Sequence, residues 1–286
     1  MTITLGANQY GKAENRVVRI YRDTARHEIR DVTVSTSLRG DFTAAHLEGD
    51  QARVLPTDTQ KNTCYAYAKE KGLREIERYG LDLARHFVGD VVPVTGARVA
   101  VDELAWDRVE VGGQGHDHTW VRRGPEVRTT VVTVDETGEQ VVSGLRDLVL
   151  LKSTGSEFAG FLTDEYTTLA ETHDRIMSTS LVATWRYART SFEDGDLDWD
   201  KVWSDVRRIL LEQFALVHSK ALQQTLWEMG RAALEAHPEI AEISLSAPNK
   251  HHFVVDLSPF GLENPGEVFH AADRPYGLIE ATVTRS

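Results

Sequence analysis

The chain has 286 residues, 41% of them hydrophobic and six of them Trp, enough to bury a sizeable core in one large or two medium domains. Its formal net charge of −12, with no block of Lys or Arg, offers no concentrated positive field to meet phosphates, which argues against a nucleic-acid or anionic-membrane binder. A single cysteine, Cys64, excludes an intramolecular disulfide and a thiolate zinc cluster and fits a reducing cytoplasm.

In chain order, MTITLGANQYGKAENR lacks the basic-then-apolar pattern of a secretory leader. Alternation at Val17, Arg19 and Tyr21, a polar turn, and then Ile29, Val32, Val34 and Leu38 among polar residues predict a long hairpin. After Pro56, with Thr57 and Asp58 as candidate caps, Ile76, Tyr79, Leu83 and Phe87 recur at helical spacing and predict a helix broken near Gly72. Residues 96–109 and 117–122 read as a strand pair joined through Val-Gly-Gly-Gln-Gly. Beyond Arg123-Gly124-Pro125 the order returns, with a second hairpin turning near Glu136, Thr137 and Gly138. The acidic run 193–200 reads as a solvated loop leading to a helix N-terminus. Helix 198–218 carries Val202, Val206, Ile209, Leu210, Phe214 and Val217 on one stripe, helix 220–236 carries Leu222, Leu226, Met229 and Ala233, and strands 240–247 and 251–257 close the chain. A β-β-helix-β-β unit therefore occurs twice, which predicts two similar α+β domains with antiparallel sheets. No apolar run reaches membrane-span length, and the terminal Val-Thr-Arg-Ser is not a peroxisomal Ser-Lys-Leu address.

Successive side chains leave opposite faces of a strand, so His251 and His252 cannot both chelate one ion. His251 shares its face with Asn249 and Phe253, and His252 points elsewhere. Asn249 and His251 set an amide beside a group that titrates near neutrality, either as a functional pair or as structural residues at a strand end. His116 and His118, alternate in a strand, form the better local metal pair but want a third ligand; exposed histidines beside a Gly-rich loop are the plain alternative. His173 and His218 read as helix-surface residues, and Cys64 as a small core residue. Lys12 follows Gly11 at the entrance to the first strand, and Thr57 and Asp58 open a helix. A helix N-terminus favours an anion, and a Thr hydroxyl polarised by Lys can relay a proton; a solvated Lys and a capping pair are the bland readings. Phe158, Phe161 and Arg175 in an irregular region suit a clamp for a flat heterocycle, by stacking and by the guanidinium fork, or plain packing. Gln223 lies beside Leu222 near the start of a helix. No P-loop, GxGxxG, GxSxG or HExxH pattern occurs, so chemistry without a cofactor gains weight.

In this order along the chain, NQYGK, TDTQKNT, LKSTGSEFAGF, DEYTTLAETHDR, LQQTLWEMG, PNKHHFVVDL and ADRPYGLIEATV resemble the urate oxidase (uricase) family over nearly the whole sequence. The resemblance implies an α+β fold of two tandem tunnelling-fold domains, 1–135 and 136–286, with antiparallel sheets and helices on one face. It implies a cytoplasmic, bacterial-type homotetramer whose sheets close into barrels around a tunnel, with active sites at subunit interfaces. The implied reaction oxidises urate with dioxygen as co-substrate and water to 5-hydroxyisourate and hydrogen peroxide, without a metal or organic cofactor, nucleic acid or membrane. By resemblance, Phe158 stacks on the purine, Arg175 and Gln223 grip its edges, the Leu222 backbone N–H contacts it, and Asp58 reaches it through backbone across the interface. Lys12 and Thr57 form a proton-transfer dyad, His251 completes the relay, and Asn249 holds dioxygen or water. Leu222 stands where the family usually has Val, which matters little for a backbone donor. Two other readings compete: a zinc-dependent pterin-type tunnelling-fold enzyme, with His116 and His118 as its best ligands, and a non-catalytic purine-binding homologue.

Overall fold

The computed structural model describes residues 2–285. Met1 and Ser286, at the ends of the stretches read for a leader and a peroxisomal address, lie outside the described residues. The elements run β1 Asn15–Tyr21, β2 Glu28–Gly40, α1 Thr43–Leu47, α2 Thr57–Glu70, α3 Ile76–Asp90, β3 Val94–Val111, β4 Gln114–Asp135, β5 Gly138–Lys152, β6 Met177–Tyr187, α4 Trp199–Leu216, α5 Leu222–Ala236, β7 Ile240–Val254 and β8 Phe269–Thr284, with one 3-10 turn at Ser258–Phe260. Two strands, a helical layer and two strands thus occur twice, the second set opening at Gly138. The chain forms two compact units, one taking in the chain to Leu145 with Arg186–Trp203, the other Arg146–Trp185 and the chain from Ser204.

In the first unit β1, β2, β3 and β4 pair in sequence order, all antiparallel. The predicted helical face is the buried one: Ile76, Tyr79, Leu83 and Phe87 of α3 are each at most 1% exposed, and α3 lies against β3 and β4. The break near Gly72 separates two helices. Gly72 takes φ +99°, its N–H closes α2 on the Tyr67 carbonyl, and the next N–H, of Leu73, donates to the Tyr21 hydroxyl. Gly80 on α3 is where helix and sheet approach most closely, since a Cβ there would sit 2.9 Å from the Val132 side chain. In the second unit Gly230 of α5 does the same against Val283 of β8, at 2.5 Å, beside the buried stripe Leu222, Leu226, Met229 and Ala233.

Three expectations need correction. Residues 117–122 and the arm after Pro125 are one strand, β4, because four residues (123–126) bulge out opposite Ala105 of β3, so Pro125 never has to donate to the ladder. Strands 240–247 and 251–257 are likewise one strand, β7, which ends at Val254 and pairs with β8, a strand the periodicity does not mark and which bulges between Ala272 and Gly277. The hairpin turning at 136–138 does not supply both opening strands of the second set: its first arm is the end of β4, and β5 is joined there by β6, which the sequence reading left unplaced. In β6, Leu181, Ala183, Trp185 and Tyr187 alternate inward at no more than 1% exposed, but their Ser- and Thr-rich company hides the signal.

The core of the first unit holds a charge. Glu77, in the first turn of α3 and fully buried, accepts from Arg128 of β4 at 2.7 Å and from the Ser143 hydroxyl of β5 at 2.7 Å. Arg128 also donates to Asp200 at the start of α4 at 2.5 Å, and burial, which opposes its charge, is outweighed by Glu77, Glu103 and Asp200. Removing one member of a buried pair strands the other, so Glu77→Leu is expected to cost on the order of 3 kcal/mol, seen as a lower urea midpoint. An unchanged midpoint would show that Arg128 is satisfied without Glu77. Gly230→Val, which forces a side chain into Val283, is expected to cost roughly 1–3 kcal/mol and lower the thermal midpoint.

Candidate active site

Residues 153–176 form a clip rather than a free loop. Phe158 and Thr172 exchange backbone hydrogen bonds of 2.7 and 2.9 Å, and the Arg175 N–H donates to the Ser156 carbonyl at 2.8 Å. The Asp174 carboxylate draws in the Thr154 hydroxyl at 2.9 Å and the Gly155 N–H at 3.1 Å. Ser156 pairs in parallel with Ser219, two residues before the cap of α5. That bridge ties the clip to the segment leading into Leu222 and Gln223. Leu222 is buried and opens the helix, so its N–H has no intrahelical partner, whereas the Gln223 side chain is exposed.

Within the second unit the clip and the end of β7 enclose a cavity of about 260 Å³ that takes in Phe158, Arg175, His251 and His252. The Arg175 guanidinium lies 5.4 Å from the centre of the Phe158 ring, whose other neighbour is Phe161, stacked at 4.8 Å. Arg175 is half-buried and its Nε has no partner; burial draws its pKa below the ordinary Arg value, yet it remains charged. His251 stacks on Phe253 at 5.9 Å. Its pKa is lowered first by burial, then by Arg175 and His252, which disfavours the protonated imidazole. Asn249 sits two residues earlier on β7, opposite Gly277, at the register shift after which the ladder resumes with His251 opposite Ala272.

Several site expectations change. His252 does not merely point away: it lines the same cavity, with a buried Nδ1 lacking a partner. His173 and His218 lie off the helices, and both face Glu157, at 3.5 and 3.2 Å. Thr57 and Asp58 are not caps. Pro56 occupies the cap of α2 without a side-chain bond, which leaves the half-buried Thr57 hydroxyl unspent, while Asp58 accepts from the Lys61 ammonium and, at 3.0 Å, from Asn62. The hydrogen bond from Lys61 is the main reason its carboxyl titrates low, with the field of Lys12 a smaller one. Cys64 is core as read; burial pushes its thiol up to about 11, which removes it as a nucleophile.

Lys12, Thr57 and Asp58 belong to the first unit and do not line the cavity of the second. His116 and His118 pack edge to face at 4.4 Å on the β3–β4 hairpin, where Arg26 donates to the Asp117 side chain and Arg108 to the His116 carbonyl. Two guanidinium groups there oppose a cation, and among the described residues no three His, Cys, Asp or Glu are arranged to hold a metal ion. The sequence reading missed Leu169, Ile176 and Phe269 of the cavity wall; Ile176 adjoins Arg175, but nothing in the pattern ties Phe269 to it.

Comparison with known proteins extends this geometry. A family model described as Uricase matches residues 8–133 and 141–280. The uricase of Arthrobacter globiformis is 54% identical over 283 residues, covering 99% of this chain and 90% of that protein. The crystal structure of uricase from the same organism superposes with a TM-score of 0.94 at 53% identity, over 100% of this chain and 96% of the other. The uricase of Cyberlindnera jadinii is 36% identical, covering 100% of this chain and 98% of that protein. The antiparallel α+β fold is thus the tunnelling fold that the sequence motifs imply.

The depressed His251 pKa has a direct test. In an NMR titration its imidazole should protonate only below the ordinary value of 6.5, and Arg175→Gln, by removing a positive neighbour, should move that pKa upward. A titration unmoved by the substitution would show that Arg175 does not act on His251.

Proposed function

The chain belongs to the uricase family and oxidises urate, and we propose that it does so with dioxygen and water, giving 5-hydroxyisourate and hydrogen peroxide without a metal or organic cofactor. The balance closes: one dioxygen and one water enter, and one oxygen stays on the purine while the other atoms leave as peroxide. The carrying observation is the single cavity that unites Phe158, Arg175 and His251. A ring for stacking, a cation with an unpartnered donor and a neutral imidazole complement a flat, anionic, electron-rich heterocycle. Removal of a further proton from urate lets it give an electron to dioxygen directly, so the protein's work is to position, deprotonate and exclude competing water.

In this reading Phe158 stacks on the purine, Arg175 and Gln223 grip opposite edges, the Leu222 N–H donates to it, and Asp58 contacts it through backbone. Lys12 polarises the Thr57 hydroxyl, the two pass a proton, and His251 completes the relay. Asn249 holds dioxygen or water above the ring. The active chain is a cytoplasmic homotetramer of two tandem tunnelling-fold domains, 1–135 and 136–286, whose active sites form at interfaces between subunits.

Purified protein incubated with urate and a chelator in air should consume urate and release peroxide. Absence of peroxide would sink this reading, and activity abolished only by the chelator would favour the zinc-dependent pterin-type alternative. Lys12→Met and Thr57→Ala are expected to lose turnover by about 10²-fold or more with substrate binding partly kept. Arg175→Ala should raise KM by about 10- to 100-fold, the worth of a charge-assisted hydrogen bond. Wild-type turnover in Lys12→Met would remove the dyad.

A further inference from the structure

Lys12 lies outside the named strands, on a segment that runs beside β2. Tyr10 and Leu38 exchange backbone hydrogen bonds of 3.2 and 2.7 Å, and the Thr36 N–H donates to the Lys12 carbonyl at 2.8 Å. Between them, Gly11 has no room for a side chain: a Cβ would stand 1.7 Å from the Thr36 carbonyl oxygen. The segment is therefore seated on Thr36.

Thr36 is 3% exposed and spends its side chain in two directions. Its hydroxyl accepts from the Lys12 N–H at 3.2 Å and donates to Gln60 Oε1 at 2.7 Å. Gln60 is fully buried on α2, three residues after Thr57, and its Nε2 donates to the Leu55 carbonyl at 3.4 Å. The Tyr10 hydroxyl donates to the same carbonyl at 3.0 Å, which returns the path to the Lys12 segment. Gln60, Cys64 and Ala68 form the buried stripe of α2, so a polar amide occupies a position that an apolar side chain would fill at lower desolvation cost. A buried amide has fixed donor and acceptor directions, whereas an apolar contact tolerates sliding.

We propose that Thr36 and Gln60 are positioning residues, a buried hydrogen-bonded bridge that holds the Lys12 segment in register with the helix turn carrying Thr57. The bridge touches no substrate and acts through those two residues, so the inference rests on the reading that Lys12 and Thr57 pass the proton. The field of Lys12 felt at Asp58, next to Thr57, agrees with that register.

The test uses the full-length enzyme with urate as substrate. Replacing both partners of a buried hydrogen bond with apolar groups of similar shape costs little, so the double variant Thr36→Val/Gln60→Leu should still fold, with its thermal midpoint lowered modestly because the part-buried Lys12 N–H loses its acceptor and the Leu55 carbonyl keeps only Tyr10. Its kcat should fall about tenfold or more while KM changes less than twofold, because misplacement by a fraction of an ångström disturbs proton transfer more than binding. Thr36→Ser, which restores the hydroxyl, should recover most of kcat. In a Lys12→Met background the double variant should have no further effect, since groups acting as one unit are not additive. Unchanged kcat in a folded double variant, an equal loss in the Lys12→Met background, or failure of Thr36→Ser to retain activity would each overturn the bridge. If Lys12→Met itself keeps wild-type turnover, the dyad fails instead, a result distinct from any of these. Should the double variant not fold, the Thr36→Ser and Gln60→Glu single variants carry the same comparison: the first is expected to stay active, and the second, whose carboxylate still accepts from the Thr36 hydroxyl but repels the Leu55 carbonyl that the amide held, to lose kcat. Full activity of Gln60→Glu would count against the proposal.

Discussion

Glu77 is the charge around which the first unit has to close. An isolated carboxylate cannot be taken out of water at tolerable cost, so α3 can dock only when Arg128 arrives from β4 and the Ser143 hydroxyl from β5. Arg128 in turn needs Asp200, at the head of α4, and lies 5.3 Å from the Trp203 ring centre. One buried anion thereby sets the mutual positions of a helix, two strands and the start of a second helix. Such a cluster adds little net stability over an apolar core, but it admits few alternative packings. Gly80, three residues on, supplies the complementary steric condition by letting α3 approach Val132.

The second unit solves its problem with backbone. Paired Phe158 and Thr172, the Ser156 carbonyl on Arg175, and the Ser156–Ser219 bridge convert a long excursion into a small platform. Its rigidity matters for electrostatics. Arg175 is half-buried with an unused donor, and the same charge, beside burial, depresses His251. An anionic ligand would satisfy the donor and offset the part of that depression that comes from Arg175, so binding and the readiness of His251 to take a proton are coupled through one guanidinium.

Polarity in the first unit is directed to the same end. Pro56 at the cap relieves Thr57 of capping, Asp58 is held by Lys61 and Asn62, and the Thr36–Gln60 bridge keeps the Lys12 segment beside the start of α2. The caps expected from Thr57 and Asp58 would have spent the very hydroxyl that the proposed relay uses.

How much of this was legible follows from the range of each interaction. Helical stripes such as Ile76, Tyr79, Leu83 and Phe87, the break at Gly72 and the repeated element order are short-range facts of side-chain spacing and backbone steric freedom, and the sequence by itself determined them. The motifs around Lys12, Thr57, Phe158, Arg175 and His251 were likewise readable, and with them the family. Strand continuity through Pro125 and through Arg274-Pro275 was not, because a bulge is defined by what lies across the ladder. The place of His252, the reach of Phe269 and the closed path from Lys12 through Thr36 and Gln60 also belong to the tertiary structure alone. Each depends on burial and on hydrogen bonds between residues distant in sequence, and only the folded chain sets those distances.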